Sequence, residues 1–144
     1  MKNKVEISAG GIVYKKTNSD VLWLIGQHSK HKGWGFPKGL IGDNFKDETM
    51  ETAALREVEE EGGVRAKIVD DKKTIKMEYL YRFKGTLVIK TVYYYLMEYV
   101  SGDPKNHDWE MSDAKFVSAD QVRKTLSYKS DKEAFEKAVK LLKS

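Results

Sequence analysis

The stretch from Glu48 to Val64 constrains this chain more than any other. Its residues are good helix formers, and they stop at Gly62-Gly63, a strong helix C-terminal signal. The pattern predicts a helix over 47–62. Wound at roughly 100° per residue, it lines up Met50, Ala54 and Val58, with Ala53 beside them. That stripe must turn toward a sheet. Glu57 and Glu61 fall within about 20° of Met50 on the same wheel, so they continue the inward face, and Glu60 flanks them. Like charges at i, i+3 and i+4 repel. They also lie near the negative end of the helix dipole. One cation is close in sequence, Arg56, four residues before Glu60. A solvated acidic helix end is the plain alternative. Carboxylates clustered on a partly covered face instead suit a hard divalent cation, which takes a few carboxylates plus phosphates and waters.

Around this helix the pattern is mostly β. Val5 to Tyr14 reads as a first strand, and its Gly10-Gly11 pair suggests a bulge or a close approach. Thr17 to Asp20 is a turn, and Val21 to Gln27 is a strand apolar on both faces, hence central. His28 to Gly35 reads as a loop. Lys67 to Phe83 and Thr86 to Tyr99 read as β structure around a turn at Lys84-Gly85. The second arm carries Val92, Tyr93, Tyr94, Tyr95, Leu96 and Met97, which fits a strand covered on both sides. Ser101 to Asp108 is a polar loop, and Ala114 to Val117 a short strand. Two helices follow. Ser118 with Gln121 and Ser130 with Glu133 match capping-box spacing. Ala134, Phe135, Ala138, Val139, Leu141 and Leu142 form the stripe of the last helix. Helices before and after the main β region predict an α/β fold, a mixed sheet with helices on both faces, in one domain over 1–144.

Composition removes several classes of function. With no cysteine among 144 residues, a disulfide framework and a thiolate zinc site are both excluded. His28, His31 and His107 are scattered over polar loops and do not read as metal ligands. The start, Met1 to Glu6, lacks an apolar run behind a basic patch, and no segment is apolar enough to span a bilayer. A cytoplasmic protein without a membrane partner is the expectation. The formal net charge of +4 is compatible with a polyanionic substrate, though on charge alone a lysine-rich surface kept for solubility is the simpler account.

The acidic helix belongs to a larger pattern. Gly42, Glu48, Arg56-Glu57-Val58, Glu60-Glu61 and Gly63-Val64 are spaced as Gly-x5-Glu-x7-Arg-Glu-U-x-Glu-Glu-x-Gly-U, where U is a bulky aliphatic. This resembles the Nudix box, with every fixed position met. The flanks resemble the family too: Gly10 to Val13, Gly33-Trp34-Gly35-Phe36-Pro37-Lys38-Gly39, Lys90 to Leu96, and Glu110 to Val117. In many members the glycine of Pro-Lys-Gly is itself the leading box glycine. Here Gly39 precedes Gly42 by three residues, so either one could approach a metal.

The resemblance implies a Nudix-type α/β/α sandwich and a hydrolase acting on phosphoanhydride bonds with Mg²⁺, or Mn²⁺ in its place. Glu57, Glu60 and Glu61 would ligate the metal, with Gly39 close by. Arg56 would orient them, and Glu48 would support the network. Glu57 or Glu60 is favoured as base, and Glu110 is the candidate extra carboxylate. Lys38 and Lys90 are candidates to meet substrate phosphates as point charges. Tyr81 and Tyr93 are candidates to stack on a base, with Tyr79, Tyr94 and Tyr95 as further aromatics in the same region.

The approach from Trp34 to Gly39 and the stretch from Leu126 to Ala134 resemble the branch that cleaves dinucleoside polyphosphates, such as diadenosine tetraphosphate. The alternatives are an RNA 5′-pyrophosphohydrolase, the one case with a nucleic-acid partner, and a hydrolase of ADP-ribose, other nucleoside diphosphate sugars or inositol pyrophosphates. A non-catalytic nucleotide-binding regulator is a poor fit, because the box carboxylates are all present. A small-molecule nucleotide is the expected partner, with the protein a monomer or a homodimer.

Overall fold

A computed structural model describes residues 3–42 and 47–144. Met1, Lys2 and residues 43–46, within the five-residue spacer of the box, lie outside the described residues. In chain order the elements are β1 (Asn3–Lys16), β2 (Val21–His28), β3 (Trp34–Gly35), β4 (Lys38–Leu40), α1 (Met50–Gly62), β5 (Val64–Ile68), β6 (Thr74–Phe83), β7 (Thr86–Gly102), a single 3-10 turn at Pro104–Asn106, β8 (Met111–Ser118), α2 (Ala119–Thr125) and α3 (Lys129–Lys143).

The described strands form one mixed sheet. β1 and β7 run parallel from Asn3 opposite Leu87 to Tyr14 opposite Glu98, and the other pairs are antiparallel. β2 lies between β1 and β8, as its two apolar faces require. The period of two in β7 divides the core. Val92, Tyr94 and Leu96 join Ile12, Trp23, Phe36, Val122 and Phe135 on the face covered by α2 and α3. Tyr95 and Met97 join Ala9, Val13, Leu24, Ala53, Ala54 and Val58 on the face covered by α1. The architecture is therefore the expected sandwich of helices on both faces of a mixed sheet. Its apolar burial is the main favourable term in folding.

α1 begins at Met50 rather than Asp47. Thr49 is its N-cap, accepting a hydrogen bond from the Thr52 N–H at 3.2 Å. It ends where expected: Gly63 sits at φ 73°, and its N–H donates to the Glu59 carbonyl at 3.0 Å. Ala53, Ala54 and Val58 are fully buried, and the two alanines let the helix axis sit close to the sheet. Gly11 faces it, where a Cβ would meet Val58 and Met97. Gly10 passes close under Pro37 and Lys38, so the glycine pair marks a close approach.

Three local expectations are corrected. The stretch 67–83 is two strands, because Asp70 closes a turn by accepting from the N–H of Lys72 at 3.0 Å. The loop 28–35 is partly a hairpin: Trp34-Gly35 pairs with Gly26-Gln27 around a tight turn in which Lys32 has φ 61°. Ser130 does not cap α3. The helix starts at Lys129, two residues before a Ser130 cap would place it, and its N-cap Tyr128 makes no side-chain capping bond. Ser127 instead anchors this end, its Oγ accepting from the Trp34 N–H at 2.8 Å. Ser118 does cap α2, accepting from the Gln121 N–H at 3.2 Å.

Candidate active site

The C-terminal half of α1 meets the loop around β4, and there the expected residues gather. Arg56 is the hub. Its Nε and Nη2 donate to the two oxygens of Glu48 at 2.6 and 2.9 Å, a bidentate pair, and its Nη1 donates to Glu57 at 2.8 Å and Glu60 at 3.1 Å. The Glu48 side chain is fully buried, so the pair is desolvated. The Arg56 hydrogen bonds hold the Glu48 carboxyl below its usual range, and those same bonds raise the guanidinium.

Glu57 and Glu61 behave differently. Burial is the main cause that pushes the Glu57 carboxyl up to about 7, with Glu60 and Glu110 adding repulsion and Arg56 opposing it. Burial also pushes Glu61 up to about 8, opposed by the backbone N–H of Lys38, which donates to Glu61 at 3.2 Å. These acids carry a desolvation cost that the residues around them do not offset. A bound cation would offset it.

The two glycines divide the labour. A Cβ on Gly39 would overlap the Glu57 carboxylate, so this glycine keeps open the space beside the acids. Gly42 makes a turn at φ 78°, and its N–H donates to Glu48 at 3.2 Å. Gly39 therefore approaches the acidic cluster, while Gly42 supports the buried ion pair. Hard carboxylate oxygens, two of them desolvated, with a backbone kept clear beside them, fit a hard divalent cation. Among the described residues no three such side chains already converge as a finished cage. Arg56 holds Glu57 and Glu60 from one side, so a cation would complete the arrangement.

One cavity adjoins this cluster, and a second adjoins the first. The first, of about 200 Å³, is lined by Lys38, Gly39, Glu61, Lys90, His28 and His31, among others. Burial lowers the Lys90 ammonium pKa, and the charge of Lys38 lowers it further; Glu6, 4.0 Å away, opposes them. The second, of about 710 Å³, is lined by Met77, Tyr79, Tyr81 and Tyr94 and shares His31, Lys38, Tyr128 and Asp131 with the first.

Among the expected substrate contacts, Lys38, Lys90 and Tyr81 thus line cavities, the hydroxyl of Tyr81 also donating to Glu6 at 2.8 Å. Tyr93 does not. Its register with Ala9 puts it on the α1 face of β7, opposite the cavities, because neighbouring strand residues alternate faces. Glu110 is exposed just before β8, in electrostatic reach of Glu57.

Several cavity residues escaped the sequence reading. Asp131 is 4% exposed and accepts a hydrogen bond from the Tyr94 hydroxyl at 2.9 Å. Tyr128 reaches His31 at 3.3 Å, and His28 stacks on His31 with ring centroids 4.3 Å apart. The one signal for Asp131 and Tyr128 was the stretch from Leu126 to Ala134.

The family model of the NUDIX domain matches residues 4–138. The chain belongs to the Nudix family. It is 30% identical over 148 residues to the mutator protein MutT4 of Mycobacterium tuberculosis, an alignment covering 99% of this chain. The chain spans 58% of the length of that curated relative. Among solved structures this Nudix fold is similar to the Ap4A hydrolase of C. elegans, with a TM-score of 0.71 and 25% identity over 96% of this chain and 98% of that one. It is also similar to the NUDIX domain of Shewanella oneidensis NrtR, solved with ADP ribose. The TM-score is 0.70, with 20% identity over 99% of this chain and 90% of that one. The second likeness concerns the fold alone. No helix among the described residues is long and apolar enough to cross a membrane.

Proposed function

We propose that this Nudix domain hydrolyses a phosphoanhydride bond in a nucleoside diphosphate joined to another moiety, with a dinucleoside polyphosphate such as diadenosine tetraphosphate as the preferred substrate. One observation carries the reading. A lysine-bearing cavity beside the buried glutamates opens into a larger one walled by tyrosines, sharing His31, Lys38, Tyr128 and Asp131. Phosphates suit the first and a nucleoside suits the second, where aromatic faces accept a base. The likeness to an Ap4A hydrolase adds support for the substrate.

Glu57, Glu60 and Glu61 would hold Mg²⁺, or Mn²⁺ in its place. Such a cation neutralises phosphate charge and makes water a better nucleophile near neutral pH. Arg56 fixes the orientation of Glu57 and Glu60, and Glu48 fixes Arg56. Lys38 and Lys90 draw charge off the phosphate oxygens and set the chain in line. Water attacks phosphorus, the bridging P–O bond breaks, and a Glu57 carboxylate oxygen takes the water's proton. Burial pushes the metal-free Glu57 carboxyl up to about 7, and a cation held beside it would lower that value, leaving an ionised carboxylate able to accept a proton near neutral pH. Glu60 is the alternative base, with Glu110 as a supporting carboxylate. With diadenosine tetraphosphate and one water, the products are ATP and AMP.

The test is a substrate panel with Mg²⁺ and chromatographic products: diadenosine tetraphosphate, ADP-ribose, a nucleoside triphosphate, an inositol pyrophosphate and a 5′-triphosphorylated RNA. Selective conversion of diadenosine tetraphosphate to ATP and AMP supports the reading. Turnover of another member alone overturns the substrate but not the chemistry. Silence on all of them, with Mn²⁺ tried as well, overturns the enzyme.

A further inference from the structure

Ser8 has no role in the foregoing, yet it is the most anomalous polar residue of the described chain. It lies on β1 opposite Leu40 of β4 and Val92 of β7, and is 0% exposed. Its hydroxyl is the one buried side-chain polar atom among the described residues with no hydrogen-bond partner. An unpartnered buried hydroxyl costs of the order of 1–3 kcal/mol. Alanine would fill this strand position at almost the same volume without that cost.

The surroundings indicate what the hydroxyl awaits. Ser8 lines the 200 Å³ cavity together with Lys38, Lys90 and Glu61. Lys38 is close enough for its charge to disfavour the Lys90 ammonium. The acid nearest Lys90, Glu6, lies at 4.0 Å and is shared with Tyr81 at 2.8 Å and Lys4 at 3.6 Å. The corner thus presents two ammonium groups and one unused O–H donor. A tetrahedral oxyanion satisfies all three at once: its oxygens accept from the hydroxyl, and its charge relieves the repulsion between the lysines.

We propose that Ser8 is a substrate-binding residue, its hydroxyl donating to one phosphate of the polyphosphate chain held between Lys38 and Lys90. The inference deepens the proposed function and rests on it for the identity of the substrate, but the phosphate corner is testable without turnover. A water in the cavity is the competing occupant of that hydrogen bond.

The experiment compares wild type with Ser8→Ala. Thermal melts are run without ligand, inorganic pyrophosphate is titrated calorimetrically, and steady-state kinetics are measured on whichever panel member turns over. Ser8→Ala is expected to melt at or above the wild-type temperature, because it deletes an unsatisfied donor. It should bind pyrophosphate about tenfold more weakly and raise KM by a similar factor with little change in kcat. A double-mutant cycle with Lys90→Met should be non-additive, since both groups would hold the same anion. Wild-type pyrophosphate affinity in Ser8→Ala overturns the proposal and leaves water or packing as the role of the hydroxyl. Absence of pyrophosphate binding by the wild type also overturns it. If the wild type hydrolyses no panel member while Ser8→Ala still loses pyrophosphate affinity, the hydrolase reading falls and the phosphate corner stands.

Discussion

Arg56 reaches three glutamates through one guanidinium, its bidentate pair with Glu48 lying between side chains 12% and 0% exposed. A lysine there keeps the charge but loses the planar fork, so Glu48 would stay buried without its bidentate partner, keeping the Gly42 N–H. Arg56→Lys is expected to cut activity about 10- to 100-fold, the usual cost of losing a partner that orients metal ligands. Kinetics on a variant with an unchanged circular dichroism spectrum checks this. Full activity in that variant would remove Arg56 from the site. Gly39 makes a sharper case, because a single methyl would overlap the Glu57 carboxylate. Gly39→Ala should lose most of its Mn²⁺ affinity in calorimetric titration while the wild type binds.

At the scale of the element, α1 and α3 show opposite uses of their first turn. Thr49 caps α1 with its side chain, whereas Ser130, in a sequence context that looks like a cap, does not cap α3. Thr49→Ala should therefore lower stability by about 1 kcal/mol in urea denaturation. Ser130→Ala should stay within about 0.5 kcal/mol of wild type. Equal losses in both would contradict the assigned caps. The first turn of α3 turns Asp131 inward against Tyr94, so this helix contributes a cavity wall as well as a core stripe. Capping-box spacing was legible at Ser118 of α2 and at Ser130 of α3. Only one of them uses it, because the chain before α3 is tied to Trp34 by Ser127 and the helix then starts at Lys129.

For the whole molecule, the desolvated acids link stability to pH. The folded-state values of Glu57, about 7, and Glu61, about 8, lie above their ordinary value of 4.5. Between those limits the folded chain holds more protons than the unfolded one, so stability falls as pH rises and levels off above about pH 8. His31 works in the opposite sense, since burial lowers it from 6.5, but only below that value. In EDTA the melting temperature should thus drop by several degrees from pH 6.5 to 8.5, read by calorimetry. Saturating Mg²⁺ should flatten the slope and raise the melting temperature most at high pH, because it favours the ionised carboxylates. A metal-free melting temperature that rises over this range would show that these acids are solvated and ordinary.

What the sequence determined by itself was local and periodic. The stripe of Met50, Ala54 and Val58 and the stop at Gly62-Gly63 placed α1, and the spacing from Gly42 to Val64 identified its acidic end. Alternation marked β7 as a strand with two buried faces. These signals survive because they depend on 3.6- and 2-residue periods and on the αL tolerance of glycine, which act over a few residues. The tertiary structure decided what depends on contacts between distant segments. Gly39, not Gly42, lies against Glu57 because β4 pairs with β1 beneath α1. Tyr81 faces a cavity and Tyr93 does not, because sheet register assigns each to a face. Asp131 and Ser8 look like ordinary polar residues in one dimension. Folding buries both at cavities beside two lysines, and burial is what turns a common side chain into a specific one.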